Sequence, residues 1–320
     1  MEIEKLEIPS ESNSLYAAHY KDGRFFNPWS PFPHSLFDLV KFWVRVKPPE
    51  AARQLTPRRG LPRVDPDGGS AITWVGHCTF VVQEGKDVLL TDPHWGPRLR
   101  IRKRKAPPGL PLAAIPGGAF AVVSHSHYDH LDRYTVSRLP AGTRWFVPLG
   151  LARWFRKAGH DNVVELDWWH RVQVDGWTFT CLPAQHWSLR VGQRRHGTLW
   201  CSWLIQSPSR TFYFAGDTGY FHGFEEYGRR FAPIDVAFLP IGTYEPRWHL
   251  AYQHMDPGEA YQAFEDLGAR IMIPMHWGTF QMAWDRLDEA PRTLYRHIAD
   301  RDGDPGRVRT LGIGESWSLS

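Results

Sequence analysis

The chain has 320 residues, 42% of them hydrophobic, with 16 tryptophans and a formal charge of +4. That is enough for one large domain or two small ones, with a substantial core or an apolar surface beyond what the core needs. The mild positive balance favours anionic partners such as phosphates, lipid headgroups or nucleic acid without selecting one. Cys78, Cys181 and Cys201 are widely spaced and form no CxxC pair, which excludes a disulfide framework and suggests a reducing, cytoplasmic setting. The acidic start MEIEKLEIPS lacks a signal core, and no apolar run reaches membrane-spanning length, so a soluble or peripheral protein is expected.

Residues 1–69 read as an N-terminal extension and residues 70–320 as one catalytic domain. In the extension, Ser35 followed by Asp38 resembles a helix start. Residues 36–46 continue as a short amphipathic helix with a wide apolar face and a narrow stripe of Asp38, Lys41 and Arg45, stopped by Pro48 and Pro49. Such a helix either docks on the core or meets a membrane surface or a second copy. A Pro/Arg/Gly-rich linker, LTPRRGLPRVDPDGGS, follows.

From Ile72 strands and turns alternate. AITWVGHCTFVVQ and DVLLTDP open the domain, and AFAVVSHSH, WTFTCLPAQHW, RTFYFAGDTG, DVAFLPIG and RIMIPMHWG continue it. Helical stretches at Leu149 to Ala158 and Pro257 to Asp266 lie between them. Alternating strands and helices predict an α/β fold.

The runs share one feature. One ends at Asp92, the next at His125, His127, Asp129 and His130, and later ones at His186, Asp217 and His276. Functional groups in layered α/β folds collect at the carboxyl ends of strands, so a ligand set dispersed in sequence converges in space. Imidazole nitrogens and carboxylate oxygens are zinc donors, and the set is large enough for two metal ions. In an extended loop, residues two apart point the same way, so His125 and His127 can hold one metal. Asp129 and His130 can then turn to a second, and the Asp217 carboxylate can bridge. Tyr128 and His254 are candidates to contact a phosphate or assist a leaving oxygen.

HSHYDH, residues 125–130, resembles the HxHxDH signature of the metallo-β-lactamase fold superfamily, and His186, Asp217 and His276 follow in the order that superfamily uses. The resemblance implies a four-layer αββα sandwich built from two similar halves. It implies two Zn2+, the first held by His125, His127 and His186, the second by Asp129, His130 and His276, with Asp217 bridging. Asp92 looks like the carboxylate that orients a ligand histidine. Iron-binding members usually carry a carboxylate where His127 stands, so its presence points to zinc.

WVGHCT, RWFVPLGL, NVVELDWW, FAGDTGY, PIGTYEPRW, YQHMDP and HWGTF, with FFNPWS near the N-terminus, narrow this resemblance to the N-acylphosphatidylethanolamine-hydrolysing phospholipase D family, in a compact form similar to a bacterial member. The implied reaction cleaves a phosphodiester through a metal-bridging hydroxide and yields phosphatidic acid and an N-acylethanolamine. Asp129, Asp217 and His254 would be the catalytic residues, with Tyr128, Gln253 and His254 contacting the substrate at the mouth of the site. A homodimer is plausible by the same resemblance.

RLRIRKRK, Arg98 to Lys105, places six basic residues in eight shortly after Asp92. Beside the metal residues, Arg100, Arg102, Lys103 and Arg104 suit an anionic membrane surface, at about 1 kcal/mol per basic residue. A metallo-β-lactamase-fold nuclease and a zinc-dependent lactonase of a small phosphorylated substrate are the alternative readings. The sequence has no RNA-binding module to support a nucleic-acid partner.

Overall fold

The computed structural model describes residues 2–9, 14–35, 38, 41, 64, 65 and 68–319. Two seven-stranded mixed sheets organise the described residues, with two small hairpins beside them, one of which pairs β2 (Tyr20–Lys21) with β3 (Arg24–Phe25). In spatial order the first holds β11 (Val163–Leu166), β10 (Arg144–Pro148), β9 (Phe120–Val122), β6 (Asp87–Thr91), β5 (Thr79–Gly85), β4 (Gly69–Gly76) and β18 (Ser316–Ser318). The second holds β1 (Ile3–Lys5), β12 (His170–Val174), β13 (Trp177–Leu182), β14 (Ser202–Gln206), β15 (Thr211–Phe214), β16 (Ile234–Pro240) and β17 (Ala269–Met275). Each sheet joins an antiparallel meander to a parallel group: β6, β9, β10 and β11 in one, β15, β16 and β17 in the other.

The two-residue period of a strand builds the layers. In β5, Phe80 and Val82 point into the core between the sheets while Val81 points to the outer side. Phe80 meets Phe238 of the other sheet at 4.7 Å between ring centroids, and Phe146 stacks on Phe179 at 3.8 Å. Helices α1 (Arg133–Val136) and α2 (Ala152–Lys157) bring Val136 and Phe155 onto the outer face of the first sheet. Helices α3 (Gly223–Phe231), α5 (Pro257–Asp266) and α6 (Ala290–Asp300) cover the second, with a short α4 (Arg247–Leu250) before α5. The fold is therefore the αββα sandwich expected from the sequence.

Most tryptophan surface goes inward: Trp74, Trp145, Trp177, Trp200 and Trp203 are fully buried. Their indole N–H groups find acceptors, such as Trp203 Nε1 on Val123 O at 3.0 Å. All three cysteines are buried and free.

Several elements differ in detail from the sequence reading. AITWVGHCTFVVQ is a hairpin, β4 and β5, turning at His77 and Cys78. The helix sought from Leu149 starts at Ala152, whereas Pro257–Asp266 matches its expected bounds. There Asp256 and Glu259 form a reciprocal capping box with Pro257 in the first turn. Ser35 and Asp38 exchange the same kind of bonds, Asp38 N to Ser35 Oγ at 3.2 Å and Ser35 N to Asp38 Oδ2 at 2.9 Å. The rest of the amphipathic helix and most of the linker lie outside the described residues. Among the described residues, no helix is long and apolar enough to cross a membrane.

Candidate metal centre

The candidate residues leave the ends of strands from both sheets. Asp92 follows β6, His125 lies three residues past β9, His186 four past β13, Asp217 three past β15, and His276 directly follows β17. Register enforces the convergence: Thr91 pairs with Val122, so Asp92 and the Ser124–His130 loop leave side by side. His77, Asp92 and His276 take left-handed backbone, with φ of 56°, 34° and 63°. That conformation costs a non-glycine residue on the order of 1–3 kcal/mol. Here it turns the chain sharply at the strand end.

His125, His127 and His186 form the first cluster. His127 Nδ1 lies 2.8 Å from His125 Nε2 and 3.1 Å from His186 Nε2. Tetrahedral bonds of about 2.0–2.1 Å would set donors on one ion about 3.3 Å apart, close to this spacing. Acceptors behind the rings decide which nitrogens carry protons. His186 Nδ1 donates to Gln253 O at 3.0 Å, leaving Nε2 as a lone pair. Ser124 Oγ donates to Asp92 Oδ2 at 2.6 Å and so accepts from His125 Nδ1 at 2.9 Å, leaving the His125 Nε2 lone pair facing inward.

Asp129, His130, Asp217 and His276 form the second cluster. His130 Nδ1 donates to Asp92 Oδ2 at 2.6 Å, and its Nε2 faces Asp217 Oδ2 at 3.1 Å and Asp129 Oδ2 at 3.2 Å. His276 Nε2 lies 3.1 Å from Asp217 Oδ1 and 3.5 Å from Asp129 Oδ2. Two carboxylates around these rings call for positive charge, a ring proton or a metal ion in its place, and His130 Nε2, His276 Nε2 and Asp217 Oδ1 are buried with no hydrogen-bond partner. Asp217 Oδ2 is 3.9 Å from His186 Nε2, so this carboxylate lies between the clusters.

The charge balance separates the clusters. Burial, helped by neighbouring histidines, holds His125 well below the ordinary imidazole range. Burial also lowers His186 strongly, and lowers His127 to about 4. Those three rings are neutral donors. In the second cluster burial opposes charge, but Asp217 and Asp129 outweigh it: they hold His130 well above its ordinary value and raise His276 to about 9. Burial likewise opposes the charge on both carboxylates, and the His130 cation outweighs it, keeping Asp129 and Asp217 well below the usual carboxylate range. One cluster offers three neutral nitrogens and the other two nitrogens with two carboxylates. Such donor sets fit divalent cations that take nitrogen and oxygen.

A cleft of about 720 Å³ opens onto Asp129, Asp217 and His254. Tyr128 and Gln253 also line it. Burial lowers His254 to about 3, and its Nδ1 has no hydrogen-bond partner and sits 3.9 Å from Asp217 Oδ2. Tyr128 lies between two guanidinium groups, Arg190 at 4.2 Å and Arg100 at 5.1 Å from its ring, and its hydroxyl accepts Val191 N at 3.1 Å. The basic run folds as a hairpin, β7 (Arg98–Leu99) and β8 (Arg102–Lys103), at the rim of this cleft. Arg104 does not share its exposed face. Its guanidinium turns inward to His94 O, Val75 O and Ala106 O, and Val75 O also accepts Gly109 N at 2.9 Å.

Two residues at the site carry no signal that sequence reasoning used. His77 Nε2 is 3.1 Å from Asp129 Oδ2, and its ring packs on His276 at 4.2 Å. It stands alone in a hairpin turn, so no spacing rule exposes it. Arg190 is 7% exposed and donates to Ser126 O and Leu131 O at 3.0 and 2.8 Å, bracing the loop that carries the histidine cluster.

Residues 88–277 match the Beta-lactamase superfamily domain. An N-acyl-phosphatidylethanolamine-hydrolyzing phospholipase D of Caenorhabditis elegans is 37% identical over 274 residues, 79% of this chain and 77% of the relative. The mitochondrial protein of the same description from Saccharomyces cerevisiae is 32% identical over 259 residues, 76% of this chain and 55% of the relative. Among solved structures, a metallo hydrolase of the archaeon Ignicoccus hospitalis superposes with a TM-score of 0.58 at 21% identity, covering 78% of this chain and 98% of that one. The chain is a metallohydrolase of the β-lactamase superfamily and belongs to its N-acylphosphatidylethanolamine-hydrolysing phospholipase D family.

Proposed function

We propose that this enzyme hydrolyses the phosphodiester of N-acylated phosphatidylethanolamine to phosphatidic acid and an N-acylethanolamine, using two zinc ions. His125, His127 and His186 would hold one ion and Asp129, His130 and His276 the other, with Asp217 shared. The observation that carries the substrate reading is the cleft. Its floor is Asp129, Asp217 and His254, while Leu189, Val191, Leu250 and Met282 give it apolar walls. A lipid ester needs such walls, and a small phosphorylated lactone does not.

Two bound zinc ions would supply Lewis acidity toward the phosphate oxygens and a nucleophilic water at neutral pH. Around them the chain's own groups orient and exclude. His254, neutral and with an unpartnered Nδ1, can donate a hydrogen bond to a phosphate oxygen or to the leaving oxygen. Tyr128, fixed by Arg190 beneath it, shapes the entrance with Gln253. At the rim, Ile101 is 85% exposed and Val191 73% exposed, beside Arg100. Apolar tips next to cations suit the surface of an anionic bilayer, which supports the enzyme working as a peripheral membrane protein.

The test is mass spectrometry of products from zinc-loaded protein given N-acylphosphatidylethanolamine in mixed micelles, beside Asp217→Asn. Phosphatidic acid and N-acylethanolamine from the wild type alone are expected. No product from a wild type with confirmed zinc would overturn the lipid reading and turn attention to lactone and RNA substrates.

A further inference from the structure

The FFNPWS stretch lies far from the metal residues in sequence, yet its asparagine is buried against them. Asn27 is 4% exposed and its amide is fully committed. Nδ2 donates to His186 O at 3.2 Å and to the Tyr252 hydroxyl at 2.7 Å, and Oδ1 accepts Trp200 Nε1 at 3.0 Å. Tyr252 passes its own proton to Ser30 O at 2.7 Å, back in the same N-terminal segment. Trp29 Nε1 donates to Gln185 Oε1 at 3.0 Å, and Gln185 Nε2 donates to Tyr252 O at 3.0 Å.

These bonds join two loops that also meet through Thr218, whose Oγ1 accepts Gln185 N and whose carbonyl accepts Met255 N. One carries Gln185 and His186. The other carries Tyr252, Gln253 and His254. Beside the Gln185 to Tyr252 bond, they are linked by the His186 Nδ1 bond to Gln253 O at 3.0 Å, which sets the tautomer that leaves His186 Nε2 facing His127. Asn27 grips a residue on each side of that link: the carbonyl of His186 itself and the side chain of Tyr252, the residue preceding Gln253.

We propose that Asn27 is a positioning residue for the metal centre, holding His186 in ligating orientation, so that the N-terminal segment completes the site. The inference rests on the proposed metal-holding role of His125, His127 and His186. The residue type follows from the bonds. His186 O needs a donor, and Tyr252, already donating to Ser30, needs one too. An asparagine NH2 supplies both, and a carboxylate of the same shape supplies neither.

Asn27→Asp is therefore the informative change, with Asn27→Ala beside it and Tyr252→Phe as the milder cut, since it leaves the bond to His186 O in place. Each full-length, metal-free protein is titrated with zinc against a chromophoric chelator, and with Co2+ followed by its visible absorption. Melting of the metal-free proteins is recorded in parallel. The expected result is a wild type binding two equivalents, and an Asn27→Asp protein that binds one equivalent normally and the other about tenfold or more weaker, in line with the loss on removing groups that orient ligands. Tyr252→Phe should show a smaller loss in the same equivalent.

Unchanged affinity for both equivalents in Asn27→Asp and Asn27→Ala overturns the inference. So does an equal weakening of both equivalents that tracks a lowered melting temperature, because that pattern means general loosening. Should both Asn27 variants fail to fold, Tyr252→Phe decides: a selective loss supports the inference and no loss overturns it. A wild type that takes up no metal would sink the metal-centre reading itself, a result distinct from all of these.

Discussion

Asp92→Asn removes one charge and almost no volume at a position with no solvent exposure. Asp92 accepts three hydrogen bonds: Ser124 N on Oδ1 at 2.7 Å, and Ser124 Oγ and His130 Nδ1 on Oδ2, both at 2.6 Å. An asparagine has one acceptor oxygen. With its NH2 toward Ser124 N, two donors face each other. With its NH2 toward His130, the ring must give up the Nδ1 proton and keep any proton on Nε2, the nitrogen aimed at Asp129 and Asp217. Either way His130 loses a charge-assisted bond worth roughly 1.5–3 kcal/mol. At about 1.4 kcal/mol per decade, that is a ten- to hundredfold fall in affinity for the ion held by the Asp129, His130 and His276 group. Groups that orient ligands typically show the same range on removal. A smaller loss is expected for the first cluster, because Ser124 Oγ relays Asp92 to His125. Zinc titration against a chelator reads both affinities, and nitrogen-15 spectra of the histidines read the His130 tautomer. Affinities within threefold of wild type, with the His130 proton still on Nδ1, would refute the assignment of Asp92 as the group that orients this ring.

Arg190→Met removes the one nitrogen, Nη1, that donates to both Ser126 O and Leu131 O. A loss of about 1–3 kcal/mol and a melting temperature lower by several degrees are expected by calorimetry. Ile101→Asp with Val191→Asp should leave the melt unchanged, because both side chains stand in solvent. It should weaken binding to anionic vesicles about tenfold or more, since an inserted aliphatic side chain is worth roughly 1.5–3 kcal/mol; equal partitioning in a flotation assay would remove these residues from the membrane surface. Burial lowers His94, His196 and His249, each to about 4. Their folded values lie below the unfolded value near 6.5, so the folded state binds fewer protons between the two. Stability should therefore be lost as the pH falls from about 6.5 to 4, by on the order of 3 kcal/mol for fully buried His94. A flat profile across that window in urea melts would contradict the burial of these rings.

The clustered histidines and carboxylates were legible because chemistry concentrates them. HSHYDH is dense in metal-binding types, and His186, Asp217 and His276 each follow an apolar run that reads as a strand. The αββα layering came with them through the resemblance, while strand pairing did not. Nothing in AITWVGHCTFVVQ marks a reversal, since its turn has no glycine pair and places a histidine in left-handed backbone. The basic run was legible as charge but not as geometry: Arg104 points in, onto the carbonyls of His94, Val75 and Ala106, and Arg100 points out.

The least legible residues are those that stand behind the clustered histidines and carboxylates. His77, Arg190 and Asn27 are ordinary residue types at positions with no periodicity, and each acts on a backbone carbonyl or a carboxylate supplied by a distant segment. Their identity follows from donor and acceptor arithmetic, which exists only once the chain is folded. His125 and His186 could each carry the ring proton on either nitrogen. Only Ser124 and the Gln253 carbonyl leave both Nε2 lone pairs facing His127, which turns three neighbouring histidines into a site for one cation. The strained backbone at Asp92 and His276 belongs to the same account. Both positions set a charged or ligating side chain at the end of a parallel strand, and the surrounding hydrogen bonds hold a conformation that neither residue prefers. Chemistry at this centre thus depends on the partners behind the ligands as much as on the ligands, and variation among relatives should be read first at Asp92, Arg190 and Asn27.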